Sequence, residues 1–248
     1  PPALAGGPLT QNLELYMSVN SGLDETFAVQ ALQIEEYKKN GGARLGPWTS
    51  NLIDSDPKHL AFSLSRYKFA AKLLGDFDKN EMSSVIEIGC GDAFGSIILA
   101  NEIDQYIGID IENFVVEDNR IRLKKNKNMS FDYWDIIKKP YKKKAESALC
   151  LDVIEHIPLE CENDFLRNIK ESTNGGAILI GTPNITADKY ASKYSKQSHI
   201  NLKSGETLKT GLKPFYKDIF IFSMNDEVVH TGFLPMAHYI FALACNPY

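Results

Sequence analysis

Apolar and polar positions along the chain follow two rhythms. Between residues 57 and 74, Leu60, Leu64, Tyr67, Ala71 and Leu74 recur at steps of four, three, four and three, the stripe of an amphipathic helix. Asp56 stands before it as an N-cap, Pro57 suits the first helical position and Gly75 suits its end. A second helix is predicted over 24–39, opened by Asp24 and closed by Gly41-Gly42, with Phe27, Ala31 and Ile34 on one face. Residues 43–55 read as irregular. Short apolar runs at 84–88, 105–110, 129–133, 147–152 and 177–182 have the length of strands, and a helical segment over about 158–172 separates the last two.

Strands alternating with helices argue a parallel sheet covered on both faces. Two further apolar runs, 218–224 and 237–245, are separated only by a polar turn around Asn225-Asp226 and predict an antiparallel hairpin. The expected fold class is α/β: a doubly wound, mostly parallel seven-stranded sheet with a C-terminal antiparallel hairpin strand and a helical N-terminal extension. Right-handed crossovers would bring the carboxyl ends of the parallel strands to one edge, where ligands bind. The expected organisation is a flexible leader over 1–10, a helical extension or cap over 11–58, and a main domain over 59–248 with a lid-like insertion at about 184–216.

The most informative stretch is Val85 to Gly95, VIEIGCGDAFG. A buried strand delivers a turn containing Gly89 and Gly91 into an apolar-periodic run, so backbone N–H groups can approach a ligand closely. Glu87, two residues before the first glycine, suits a positively charged ligand and opposes a dinucleotide pyrophosphate. This stretch resembles the first motif of the class I (Rossmann-like) S-adenosylmethionine-dependent methyltransferases, acid-x-G-x-G-x-G, with Ala93 in place of the third glycine. The resemblance extends over residues 60 to 245.

That resemblance implies a set of cofactor contacts. Asp110, closing Gly108-Ile109-Asp110 with Ile111 beside it, lies about where an acid accepts both ribose hydroxyls, with Glu112 as a nearby rival. Asp135 would accept the adenine amino group while Trp134 and Ile136 contact the ring. The string DVIEHI, residues 152–157, resembles the segment after the fourth strand of many small-molecule methyltransferases and sets Leu151 and Asp152 against the methionine end. Arg66, on the helix before the first strand, has the planar fork that pairs with a carboxylate.

Composition narrows the partners. At 248 residues and 44% hydrophobic the chain can bury a full core, and no apolar run has the length of a membrane helix. A net charge of −5 offers no bulk grip on nucleic acid, and the lysines at 124, 125, 127, 138, 139 and 142–144 read as solvated helix ends and loops. Cys90, Cys150, Cys161 and Cys245 show no metal-binding spacing and suggest a reduced, cytoplasmic setting.

The expected function is methyl transfer from S-adenosyl-L-methionine to a hydroxyl or amine of a small polar metabolite, a sugar or glycan precursor among the candidates. The polar insertion after the fifth strand, rich in tyrosine and lysine, suits such an acceptor. His199 within it, His230 near the hairpin turn and His156 are the candidates for proton transfer. No metal dependence is indicated. The alternatives are a nucleic-acid methyltransferase and a catalytically silent methyltransferase-like binding partner, and residues 10–55 could form a substrate cap or a homodimer contact.

Overall fold

The computed structural model describes residues 25–75 and 82–248. The predicted leader over 1–10 and the helix-opening Asp24 lie outside the described residues. Contacts divide the chain between Arg44 and Leu45, not at residue 58. In the first unit, α1 (Glu25–Asn40) matches the predicted helix and ends with Gly41 at a positive φ of 71°.

The second unit begins with a helix that the periodicity did not indicate. Residues read as irregular form α2 (Pro47–Ser55), with Gly46 at its N-cap and Pro47 at the first position. Then α3 (Pro57–Leu74) follows as predicted, Asp56 accepting from the His59 N–H. The remaining elements alternate: β1 (Ser84–Ile88), α4 (Ser96–Ala100), β2 (Gln105–Asp110), α5 (Asn113–Arg122), β3 (Met129–Tyr133), β4 (Ser147–Leu151), α6 (Glu162–Glu171) and β5 (Ile178–Pro183). The chain continues through α7 (Lys193–Ser198), α8 (Gly205–Leu212), β6 (Tyr216–Asn225), β7 (Val228–His230) and β8 (Tyr239–Pro247).

One sheet joins the strands in the order β3-β2-β1-β4-β5-β8-β6-β7. The first five run parallel, in a register that sets Ile86 beside Ile107 and Ala148, and Leu151 beside Gly181. β8 inserts antiparallel between β5 and β6, pairing Gly181 with Phe241 and Ile221 with Ala242. The sheet therefore has eight strands where seven were expected. The extra one, β7, is three residues long and folds back on β6 through a tight turn with Asp226 at φ 50°. A strand that short leaves no readable alternation.

Side chains of successive strand residues leave opposite faces of the sheet and enter two cores. Ile86 and Ile88 pack with Phe165, Leu166 and Ile169 of α6 and Leu208 and Leu212 of α8. Val85 packs on the other face with Ala70 and Leu74 of α3, Leu99 of α4 and Val116 of α5. Burying each large aliphatic or aromatic side chain contributes roughly 1.5–3 kcal/mol, so both faces are anchored and the carboxyl edge of β1, β2 and β4 is held in register.

Candidate active site

The glycine turn after β1 is fixed by its neighbours. Gly89 and Cys90 donate their N–H groups to the Ile109 carbonyl at 2.8 and 3.1 Å. Asp110 Oδ2 accepts from the Gly91 N–H at 2.9 Å, and Asn119 Nδ2 donates to the Gly91 carbonyl at 2.6 Å. Arg122, ion-paired with Asp118 at 2.8 Å, donates to the Asp92 carbonyl. Gly89 adopts a φ of 68°, and a Cβ there would lie 2.4 Å from Val153 Cγ2, so this position excludes any larger residue twice over. The helix that follows, α4, has only five residues. The fastened turn peptides, not a long helix, form the floor of the site.

Glu87 stands behind this floor and not in the cleft. It is fully buried, and its carboxylate accepts from Tyr67 Oη and Ser96 Oγ, both at 2.6 Å, and from Tyr106 Oη at 2.5 Å. One side chain thereby ties α3, α4 and β2 to the end of β1. Burial pushes its carboxyl up to about 7, against the three hydroxyl donors that favour the ionised form. The expectation that Glu87 meets a cationic ligand is corrected by strand alternation, which turns it beneath the turn.

Above the floor lies a cleft of about 710 Å³ over the carboxyl ends of β1, β2 and β4. Gly89, Gly91, Asp110, Ile111, Trp134, Asp135, Ile136, Leu151, Asp152, Arg66 and His156 all line it, so ten of the eleven residues expected at the cofactor meet in one cavity. Asp110 Oδ1 accepts from the Glu112 N–H at 2.8 Å, while Glu112 itself caps α5 by accepting from Phe114 N. Asp135 accepts from the Ile137 N–H at 3.1 Å and pairs with Lys138 at 2.9 Å. Trp134 is steadied by its Nε1 donation to the Lys139 carbonyl and by the Tyr141 ring edge.

Trp48, Thr49 and Leu52 of α2 close one wall, which sequence reasoning missed. Asp92 holds that helix by accepting from both the N–H and the hydroxyl of Thr49, at 2.7 and 3.0 Å. The available signal was Gly46-Pro47, a helix start that the short apolar pattern after it did not reveal. Asn119 and Asp118, polar and buried on α5, were likewise overlooked.

At the other end of the cleft, Arg66 Nη1 meets Asp152 Oδ2 at 2.6 Å, and its guanidinium lies over the Tyr239 ring at 3.9 Å. Arg66 Nε is buried without a hydrogen-bond partner. Asp152, just beyond β4, sits at φ 55° with its side chain 43% exposed. Glu155, fully buried, accepts from Thr182 Oγ1 at 2.9 Å through Oε2, while Oε1 has no partner. Burial, then the neighbouring Asp152 charge, pushes the Glu155 carboxyl upward.

The three histidines part company. His156 Nδ1 lies 3.0 Å from the Ser198 carbonyl, and its ring meets that of His199 edge-on at 5.0 Å between centroids. Burial, then His156, lowers the His199 pKa, which favours its neutral form. His230 lies on β7, with β5, β8 and β6 between it and β4, and both its nitrogens are used locally. Nε2 faces Asn225 Oδ1 at 3.0 Å and Nδ1 accepts from Gly232 N at 2.9 Å. The hairpin turn was expected near the catalytic edge, but three strand widths separate it from the cleft. Glu155, His156 and His199 also converge, each offering a nitrogen or oxygen within 4.8 Å of the others.

A family model for a methyltransferase domain matches residues 79–219, more than half of the chain, and the chain belongs to that family. The fold agrees with solved structures of low identity. The methyltransferase domain of bacterial-CtHen1-C is 16% identical, with a TM-score of 0.59 over 75% of this chain and 99% of that one. The small RNA methyltransferase HEN1 is 15% identical, with a TM-score of 0.62 over 75% of this chain and 25% of that one. The N-methyltransferase NodS from Bradyrhizobium japonicum WM9, solved with S-adenosyl-l-homocysteine, is 15% identical, with a TM-score of 0.56 over 98% of this chain and all of that one. No curated protein matches the chain. Among the described residues, no helix is long and apolar enough to cross a membrane.

Proposed function

We propose that this chain transfers a methyl group from S-adenosyl-L-methionine to a hydroxyl or amine of a small polar acceptor, a sugar or glycan precursor being the leading class. One observation carries the reading: a single cleft of about 710 Å³ gathers a glycine turn, two strand-end acids, an apolar slot and an Arg–Asp pair. Such a volume lies within the usual range for small-ligand pockets. When bound, S-adenosylmethionine supplies a methyl group already activated on a sulfonium, so the protein has mainly to align the reactants and exclude water.

The chain's residues fit that task. Asp110 presents a carboxylate to ribose hydroxyls while it clamps the Gly91 peptide. Asp135 takes the adenine amino group, and Ile111, Trp134 and Ile136 enclose the ring. Arg66 and Asp152 are complementary to a carboxylate and an ammonium, the two charges of an amino-acid end. His156 lines the cleft, and the His199 ring lies 5.0 Å from it between centroids, so both border the space where an acceptor would enter. The acceptor class rests on the polar insertion after β5 and on the net charge of −5, which disfavours a nucleic-acid backbone.

Calorimetry with S-adenosylhomocysteine tests the cofactor, and a screen of polar metabolites and nucleotide sugars for cofactor turnover tests the acceptor. A folded protein that does not bind S-adenosylhomocysteine would refute the proposal.

A further inference from the structure

Where the loop after β4 meets the segment between α7 and α8, one carboxylate and two imidazoles converge. Glu155, His156 and His199 each offer a ligand atom, and these atoms all lie within 4.8 Å of one another. Atoms bound to one transition-metal ion at about 2.0–2.2 Å stand at most about 4.4 Å apart, so small side-chain adjustments close the set. We propose that Glu155, His156 and His199 bind a divalent first-row transition-metal ion beside the cleft.

Three independent features support this beyond proximity. The first is the state of Glu155. Its side chain is fully buried, Thr182 satisfies one oxygen, and Oε1 has no hydrogen-bond partner. A buried carboxyl either keeps its proton or meets a cation, and a metal ion binds by displacing that proton. The nearest arginine of the cleft, Arg66, is engaged by Asp152. A metal ion at this spot would meet the one Glu155 oxygen that no hydrogen bond reaches.

The second is the tautomer of His156. Its Nδ1 lies 3.0 Å from the Ser198 carbonyl, which can only accept, so Nδ1 carries the proton. The Nε2 lone pair is then free to bind a metal. Imidazole ligands are commonly oriented by such a bond from the other ring nitrogen to a carbonyl.

The third is the bracing of the segment that carries His199. The Asn201 N–H donates to the Glu155 carbonyl at 2.9 Å, and the Ile185 N–H to the Lys203 carbonyl at 2.8 Å. Asn201 Nδ2 donates to Glu162 at 2.7 Å, and buried Lys203 donates to Glu162 and, at 2.8 Å, to Asn201 Oδ1. This buried triad pins residues 201–203 to the start of α6, so the donors approach one another without a further ordering cost.

Two imidazoles and one carboxylate select manganese, iron, cobalt, nickel or zinc over magnesium or calcium, which take oxygen ligands. Three protein donors leave positions open. A Lewis acid there would ease loss of the proton from an acceptor hydroxyl. That role rests on the methyl-transfer reading; binding of the ion does not.

The test is a Co²⁺ titration of chelator-treated, tag-free protein, followed by visible d–d absorbance and by calorimetry. The expected result is one ion per chain, with affinity lowered at least about tenfold in His199→Ala and in His156→Ala. His199→Ala should retain its affinity for S-adenosylhomocysteine, showing that the fold and cleft survive. The milder variants His199→Gln and Thr182→Val report on the site should an alanine variant fail to fold. His199→Gln should weaken Co²⁺, and Thr182→Val should leave a d–d spectrum. Absence of Co²⁺ bands in the wild type, or equal affinity in wild type and both histidine variants, overturns the metal site. Co²⁺ binding with no binding of S-adenosylhomocysteine leaves the metal site standing and removes the methyl-transfer reading.

Discussion

Replacing Glu87 with glutamine separates the charge of this buried carboxyl from its packing. In the folded chain its pKa rises from an ordinary 4.5 to about 7, chiefly because burial penalises the ionised form. The folded state therefore holds this proton more tightly than the unfolded state, and the stability linked to it is present below about pH 4.5. It is lost as pH rises through about 7. At about 1.36 kcal/mol for each pH unit, the rise corresponds to about 3 kcal/mol. The side chain is fully buried, so solvent screening does not reduce the figure. Glutamine keeps the shape and one carbonyl acceptor for the hydroxyls of Tyr67, Ser96 and Tyr106 but has no proton to lose. Urea unfolding of both proteins from pH 4 to pH 8, with unchanged slopes, measures the difference. Wild type should lose about 3 kcal/mol relative to Glu87→Gln across that range, while titrations elsewhere cancel in the comparison. Parallel profiles, or a wild type that gains on the variant as pH rises, would refute the reasoning. The latter would mean that the three hydroxyls outweigh burial.

Three further outcomes follow from the geometry. Gly89→Ala combines an unfavourable φ, at about 1–2 kcal/mol, with a collision against Val153, and it should cost measurably less in a Val153→Ala background because only the collision is relieved; equal costs in both backgrounds would show that the contact is not limiting. Asp110→Ala should weaken S-adenosylhomocysteine binding at least about tenfold and, by freeing the Gly91 and Glu112 N–H groups, lower stability by roughly 1–3 kcal/mol; calorimetry and thermal unfolding read the two effects separately. His230→Ala should leave turnover far from the roughly 10²–10⁴-fold loss that follows removal of a positioned proton acceptor; a loss of that size would contradict its place on the outermost strand.

Most of the scaffold and the outline of the cleft were legible along the chain, because strand length, helical periodicity and turn residues are local signals. The stripe from Leu60 to Leu74, the five parallel strands and the last two long strands all appear close to their predicted limits. Gly89, Gly91, Asp110, Asp135 and Asp152 lie at strand ends, and the topology of a parallel sheet brings strand ends together whatever lies between them. Helix α2 escaped notice because its hold on the fold is a pair of hydrogen bonds from Thr49 to Asp92, 43 residues away.

By itself, then, the sequence determined which segments become strands and helices, and that a glycine turn with acids at neighbouring strand ends faces one edge. Only the tertiary structure decided what each chemical group meets. It turned Glu87 away from the cleft onto three hydroxyls and moved His230 to the far side of the sheet. It also brought His199 against His156 and Glu155 across more than forty residues. Periodicity is a property of neighbours in the chain, whereas hydrogen bonds, buried charge and metal ligation depend on distances that folding alone creates.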